Sequence, residues 1–201
     1  SLLKKGGEQQ DLLPPFLTET DIPNPINVYG MSKLLGEQLL FEHLGENYPA
    51  WILRTSWVYG LHGNNFLKTM LKLGASKETL SVVSDQIGAP TSARFIAEIT
   101  ARLLKIQPKS GIYHLCAAGQ ASWYSYSQLI FTLANQKGLP LLIKEHGLSA
   151  ITTAEYPTPA KRPANSVLNC DKLEQALAIA LPDWRMDVEQ TIGLIAENQA
   201  I

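Results

Sequence analysis

Tyr29-Gly30-Met31-Ser32-Lys33-Leu34-Leu35-Gly36-Glu37 places a tyrosine and a lysine four residues apart at the start of a helix-compatible run. On an α-helix such positions share one face, about one turn apart. A phenol is a poor acid at neutral pH, with a reference pKa of about 10. An ammonium held beside it favours the phenolate and lowers that value, so the pair can exchange a proton with an alcohol or a carbonyl. Met31, Leu34, Leu35 and Leu39 form the apolar side expected to anchor this helix in a core, leaving the other face to a ligand. The same spacing also describes an ordinary surface pair on a solvated helix.

An alternation of strands and helices follows. The Tyr29 helix covers 30–44, and Trp51-Ile52-Leu53-Arg54-Thr55-Ser56-Trp57-Val58-Tyr59 reads as a buried strand and its exit. Helix is expected over Asn65–Leu73, strand over Leu80–Val83, a turn at Gly88-Ala89-Pro90 and amphipathic helix over Ser92–Ile106. Ile112–Cys116 reads as a strand, Tyr124–Gln136 as a helix and Leu141–Lys144 as a strand. Residues 147–169, with Pro157, Pro159 and Pro163, read as irregular. Asp171-Lys172-Leu173-Glu174 has the form of a capping box opening a helix, and a last helix covers about 185–198. This order predicts an α/β protein with parallel strands.

The chain's 201 residues can bury a substantial core, and 45% hydrophobic with 17% charged residues fits a globular protein. A net charge of −1 gives no electrostatic reason to expect nucleic acid or an acidic membrane surface. No apolar run reaches membrane-span length and no basic-then-apolar leader opens the sequence, so the expected compartment is the cytoplasm. Cys116 and Cys170 are distant in sequence and lack partners at metal spacing, so they read as buried structural thiols with no metal site.

Further blocks stand in order after the Tyr29 helix. They are Leu53-Arg54-Thr55-Ser56-Trp57-Val58-Tyr59-Gly60, Gly63-Asn64-Asn65-Phe66, Asp85-Gln86-Ile87-Gly88-Ala89-Pro90-Thr91 and Tyr156-Pro157-Thr158-Pro159-Ala160-Lys161-Arg162-Pro163. Together with Pro25-x-Asn27-x-Tyr29-Gly30-x-Ser32-Lys33, they make the chain resemble the extended short-chain dehydrogenase/reductases from about Pro15 to its end. Within that family the later blocks resemble the branch that reduces dTDP-4-dehydro-L-rhamnose to dTDP-L-rhamnose for polysaccharide biosynthesis. The resemblance implies the second part of a Rossmann-like parallel sheet plus a small α/β substrate-binding domain. Residues 1–28 would be loop and approach, and 29–62 would hold the catalytic helix and following strand. Residues 63–201 would mainly bind the nucleotide sugar, with some segments returning to the sheet.

The resemblance also implies roles. Tyr29 corresponds to the acid that protonates the sugar C4 oxygen as hydride arrives from NADPH or NADH. Lys33 corresponds to the lysine that holds the nicotinamide ribose and lowers the tyrosine's pKa. Thr55 and Ser56 correspond to residues beside the nicotinamide. Trp57 corresponds to a tryptophan lining the sugar pocket, where an indole face suits a deoxysugar; by itself it also reads as a core aromatic. Asn65 corresponds to a substrate-side position, although an asparagine before a helix is also an ordinary cap. Arg162, in a Pro-bounded loop, is placed either to meet a diphosphate or to be a plain surface arginine. Mg²⁺ remains open as a second cofactor.

Two family elements are missing. None of the 14 glycines forms the Gly-rich strand–turn–helix that cradles a pyrophosphate. Where the family carries a Ser-Thr-Asp-Tyr-like stretch upstream of its tyrosine, this chain has Lys4-Lys5-Gly6-Gly7. The expectation is a chain, opening at Ser1, that starts after the cofactor-binding half and is inactive alone. Apolar surfaces left uncovered in that way predict a homo-oligomer. The alternatives are an epimerase or dehydratase acting on another nucleotide sugar, and a non-catalytic regulatory subunit of the same fold. The Arg54-Thr55-Ser56-Trp57 block argues against the first, and retention of both Tyr29 and Lys33 against the second.

Overall fold

Parallel strand pairs carry the architecture. The computed structural model describes residues 16–44, 48–159 and 162–198. Lys4-Lys5-Gly6-Gly7, most of the expected opening loop, and Ala160-Lys161 lie outside these residues. Helix α1 (Val28–Leu44) leads into β1 (Trp51–Arg54), and β2 (Val58–Tyr59) follows after a break. Next come α2 (Phe66–Ser76), β3 (Leu80–Val83), β4 (Ile87–Gly88), β5 (Thr91–Ser92) and α3 (Ala93–Ile106). The chain continues through β6 (Gly111–His114), β7 (Ala121–Ser122), α4 (Trp123–Gln136), β8 (Leu148–Ile151), α5 (Asp171–Leu177) and α6 (Trp184–Glu197). β1 pairs with β6, β2 with β5 and β3 with β8, all parallel, while β4 and β7 pair antiparallel.

Helices cover these strands through one apolar core. Leu67 of α2, Leu115 after β6, Ile130 of α4 and Val188, Ile192 and Ile195 of α6 are fully buried within it. Each such side chain contributes about 1.5–3 kcal/mol relative to exposure. Helix starts are built as their residue types require. Asn65 caps α2 by accepting the Lys68 N–H, Ser92 caps α3 by accepting that of Phe95, and Ser122 with Ser125 forms a capping box on α4. Ser92 also donates to the buried Asp187 carboxylate at 2.7 Å, and Arg94 pairs with the same group at 2.8 Å, which ties α3 to α6.

The structure corrects several expectations. The strand expected to open Trp51–Tyr59 is half-buried and not buried; it ends at Arg54, and in its exit Trp57 takes a left-handed backbone with φ 47° before β2. The strand expected over Ile112–Cys116 ends at His114. Leu141–Lys144 is not a strand. Leu142 and Ile143 both donate their N–H groups to Gly74 O, docking the segment on α2 with Ile143 buried.

The strand falls instead at Leu148–Ile151, inside the region expected to be irregular. Gly147 admits it there: a Cβ at that position would sit 2.1 Å from Glu78 O, so only glycine lets the chain enter the pairing with β3. The capping box expected at Asp171 is also not formed, because Glu174 accepts the Leu181 N–H while Asn169 receives that of Asp171.

Helix α1 departs furthest. Its half-buried stripe is Gly30, Leu34, Glu37, Phe41 and Leu44, whereas Met31, Leu35 and Leu39 are exposed. Of the four residues expected to anchor it, only Leu34 faces the body of the protein. A bidentate pair of Glu37 with Arg54 of β1, at 2.9 and 2.6 Å, fixes the helix there. Among the described residues no helix is long and apolar enough to cross a membrane.

Candidate functional site

The candidate residues divide into two groups. On α1, the Lys33 ammonium lies 5.3 Å from the centre of the Tyr29 ring, the stacked approach that one helical turn permits. The turn is held by Asn27 Oδ1, which accepts the Gly30 N–H at 2.8 Å, and by Ser32, which donates to Tyr29 O. Tyr29 is 71% exposed, so its hydroxyl is open to a ligand. No hydrogen bond, ion pair or ring contact among the described residues joins Tyr29 or Lys33 to Thr55, Ser56 or Trp57.

The second group stands at the carboxyl end of the β1–β6 pair, the end of a parallel sheet where ligand crevices form. Thr55 is exposed. Ser56 donates to Ala89 O and lies 3.4 Å from the Cys116 sulfur. Trp57 bends back over Gly88, where a Cβ would come within 2.4 Å of the indole. Its left-handed φ costs about 1–3 kcal/mol, a strain typical of residues held for a ligand. The indole stacks on Trp123 with ring centres 3.5 Å apart and planes 9° from parallel, and Phe66 lies against Trp123 at 4.5 Å.

Trp123 of that stack borders a cleft of about 480 Å³ between α2, β3, the start of α4 and the residues Tyr156, Thr158 and Arg162. Phe66, Trp123 and Tyr156 give it aromatic walls; Gln86, Thr79, Ser81 and Thr158 give it polar ones. Among the described residues the charged side chains on its lining are Lys77 and Arg162, with no carboxylate. Its size suits a small organic ligand, and paired cations beside aromatic faces suit an anionic one.

Asn65 does not reach this lining. Its amide donates to Gly60 O at 2.7 Å and its oxygen accepts the Lys68 N–H, so the cap reading describes it. Arg162 does line the cleft. Gln86 and Trp123 line it as well. Gln86 is buried, accepts the Trp123 indole N–H at 3.1 Å and donates to Thr153 at 3.0 Å. Asp85 receives both the N–H and hydroxyl of Thr153, and those bonds hold its carboxyl below the usual carboxylate range. The signal for Trp123 was positional: a tryptophan at the first turn of a helix that directly follows a strand.

Among the described residues no group of three or more His, Cys, Asp or Glu side chains is placed to hold a metal ion. Of the two thiols expected to be buried, Cys116 is buried and Cys170 only half-buried, and although distant in sequence the two touch.

Parallel strand pairs bounded by helices, with a Tyr-x-x-x-Lys helix leading into the first pair, define an extended short-chain dehydrogenase/reductase type of fold. The family model for the RmlD substrate binding domain matches residues 13–196, and the chain belongs to that family. A dTDP-4-dehydrorhamnose reductase of Escherichia coli K12 is 44% identical over 191 residues, covering 93% of this chain and 62% of the relative. The chain thus spans less than two thirds of that relative's length. A solved dTDP-4-dehydrorhamnose reductase from Clostridium acetobutylicum is 35% identical with a TM-score of 0.80, over 92% of this chain and 61% of that one. The Bacillus anthracis enzyme, solved in complex with NADP, is 35% identical with a TM-score of 0.76, over 87% of this chain and 58% of its own.

Proposed function

We propose that this chain provides the catalytic helix and nucleotide-sugar site of an enzyme that reduces dTDP-4-dehydro-L-rhamnose to dTDP-L-rhamnose. The observation that carries the reading is the cleft whose charges, Lys77 and Arg162, are both positive and stand beside aromatic walls. Arg162 binds the diphosphate, by geometry that suits a guanidinium, and Lys77 adds a second positive charge. Trp123 and Tyr156 offer faces for the base or sugar, and Trp57, which is not on the lining, supports Trp123 through the ring stack. The polysaccharide-building product implies a cytoplasmic setting, where dTDP-sugars are made.

Tyr29 gives its proton to the C4 oxygen, where negative charge builds in the transition state. Lys33, one turn away, supports the phenolate that remains. NADPH or NADH, when bound, supplies the hydride. Tyr29 and Lys33 would hold the ribose of that cofactor, and Thr55 and Ser56 would lie beside its nicotinamide. Among the described residues no Gly-rich turn cradles a pyrophosphate. Asn65 acts only through the position of α2, and no described cluster supports an Mg²⁺ site.

Titration with dTDP-glucose, dTDP and UDP-glucose tests the substrate class, and NADPH oxidation with dTDP-4-dehydro-L-rhamnose tests the reaction. Saturable binding of the dTDP compounds is expected. Any sugar product formed should be dTDP-L-rhamnose and should vanish in Tyr29→Phe. Failure to bind any nucleotide sugar, or reduction that survives Tyr29→Phe, would overturn the reading.

A further inference from the structure

The chain's two cysteines, 54 positions apart, are packed against each other at the ligand edge of the β1–β6 pair. Cys116 follows β6, where Leu115 is pinned by donating its N–H to Arg54 O. Cys170 is the residue before α5. The Cys170 sulfur accepts the Cys116 N–H at 3.3 Å and lies 3.8 Å from the Cys116 carbonyl oxygen. The Cys170 sulfur thus lies directly against the Cys116 backbone, which puts the two thiols in one small neighbourhood.

We propose that Cys116 and Cys170 form a redox-convertible dithiol that a peroxide closes to an intramolecular disulfide. The surroundings divide the two thiols into an attacking and a resolving partner. The adjacent Cys170 thiol, with the Ser56 hydroxyl nearby, holds the Cys116 pKa down to about 6 despite burial. The same contact and burial push Cys170 up, so the proton rests on Cys170. Cys116 is 1% exposed, whereas Cys170 is half-buried.

The chemistry balances. The Cys116 thiolate attacks one oxygen of hydrogen peroxide, the O–O bond breaks, and hydroxide leaves with a sulfenic acid formed on Cys116. The Cys170 sulfur then attacks the sulfenic sulfur. The S–S bond forms, the S–O bond breaks, and the released hydroxide takes the Cys170 proton as water. Two thiols lose two electrons and two protons, and one peroxide becomes two waters. The first hydroxide takes its proton from solvent, which returns the proton that Cys116 had shed.

Closure has a local consequence. The Cys116 sulfur must turn from the Ser56 hydroxyl, 3.4 Å away, toward Cys170. Ser56 is the neighbour of Trp57, so the dithiol state is connected to the strained loop at the cleft. The chemistry of closure itself does not depend on what the cleft binds.

The native chain is treated with hydrogen peroxide, quenched, unfolded in N-ethylmaleimide and weighed intact. The expected product is a monomer two hydrogens lighter, carrying no maleimide, with Cys116 and Cys170 in one cross-linked peptide and both thiols restored by dithiothreitol. Closure should be at least about tenfold faster folded than in denaturant, since the fold holds the pair together. In Cys170→Ser the reaction should stop at a sulfenic acid trapped on Cys116 by dimedone. Two maleimides per treated chain, an over-oxidised single cysteine, disulfide-linked dimers or equal rates in denaturant would overturn the proposal. Dimedone capture elsewhere than Cys116 would overturn the division of roles.

Discussion

Replacing Gly88 with alanine isolates the contact that positions Trp57. The added Cβ would lie 2.4 Å from Cε2, 2.6 Å from Nε1 and 2.9 Å from Cδ2 of the indole. Carbon atoms pack best about 3.5–4.0 Å apart, so the ring must retreat by roughly 1 Å or more. It cannot do so freely, because its stack on Trp123 has ring centres only 3.5 Å apart. Gly88 is not among the residues with positive φ, so an alanine there is strained by the indole and not by its own backbone. Overpacking of this kind costs about 1–3 kcal/mol. The lost ring stack accounts for about 0.5–1.5 kcal/mol of that. Urea unfolding followed by far-UV circular dichroism should therefore place Gly88→Ala about 2 kcal/mol below the parent. In a Trp57→Ala background the same change should cost less than about 0.5 kcal/mol, because the clash partner is gone. Equal costs in both backgrounds would refute the reasoning.

Three further outcomes follow from single features. Tyr126 is fully buried and its hydroxyl has no partner among the described residues, so Tyr126→Phe should leave stability unchanged or raise it by up to about 1 kcal/mol in urea unfolding. A loss above that figure would mean the hydroxyl is bonded. Burial lowers the pKa of His114 from 6.5, and its Nδ1–H donates to Leu17 O at 3.1 Å. The folded state then binds fewer protons than the unfolded one, so stability falls as pH drops below about 6.5 and levels off beneath the folded pKa. His114→Gln should flatten that part of the profile in thermal melts, leaving the fall from Asp85 at lower pH; an unchanged profile would contradict the assignment. The exposed stripe of Val28, Met31, Leu35 and Leu39 on α1 should drive self-association, so sedimentation should show dimers or larger species, and Met31→Glu with Leu35→Glu should dissociate them. A monodisperse parent monomer would refute this.

Local chemistry made much of the fold legible. Helix starts at Asn65, Ser92 and Ser122 carry cap residues directly before apolar periodicity, and Leu80–Val83 lies between turn signals, so these elements stand where the residue pattern puts them. The failures occur where long-range contact outweighs pattern. Leu141–Lys144 looks like a strand, but its N–H groups are taken by Gly74 O, and Leu148–Ile151 gains strand geometry only by pairing with β3. On α1 both sides carry apolar residues, so periodicity alone could not say which stripe meets the body; the Glu37–Arg54 pair decides it.

The site divides in the same way. Arg162 could be named from a loop motif and stands on the cleft, whereas Gln86 and Trp123 join its wall through contacts between β4, the 153–155 turn and α4. Asn65 illustrates the converse. Its place in a motif suggested a ligand, but the end of a helix has open N–H groups, and its side chain serves those. The cysteines were distant in sequence and adjacent in space, a relation no spacing rule reveals.

The central claim is that the Lys77–Arg162 cleft binds a nucleotide diphosphate. Calorimetric titration of the chain with dTDP, in parallel for the parent and Arg162→Ala, tests it most directly. One saturable site is predicted in the parent, with affinity at least about tenfold weaker in Arg162→Ala, as expected when roughly 1.4 kcal/mol of charge-assisted bonding is removed. Circular dichroism identical to the parent would show that the variant is folded. Equal affinity in the two proteins, or no binding by the parent, would contradict the account.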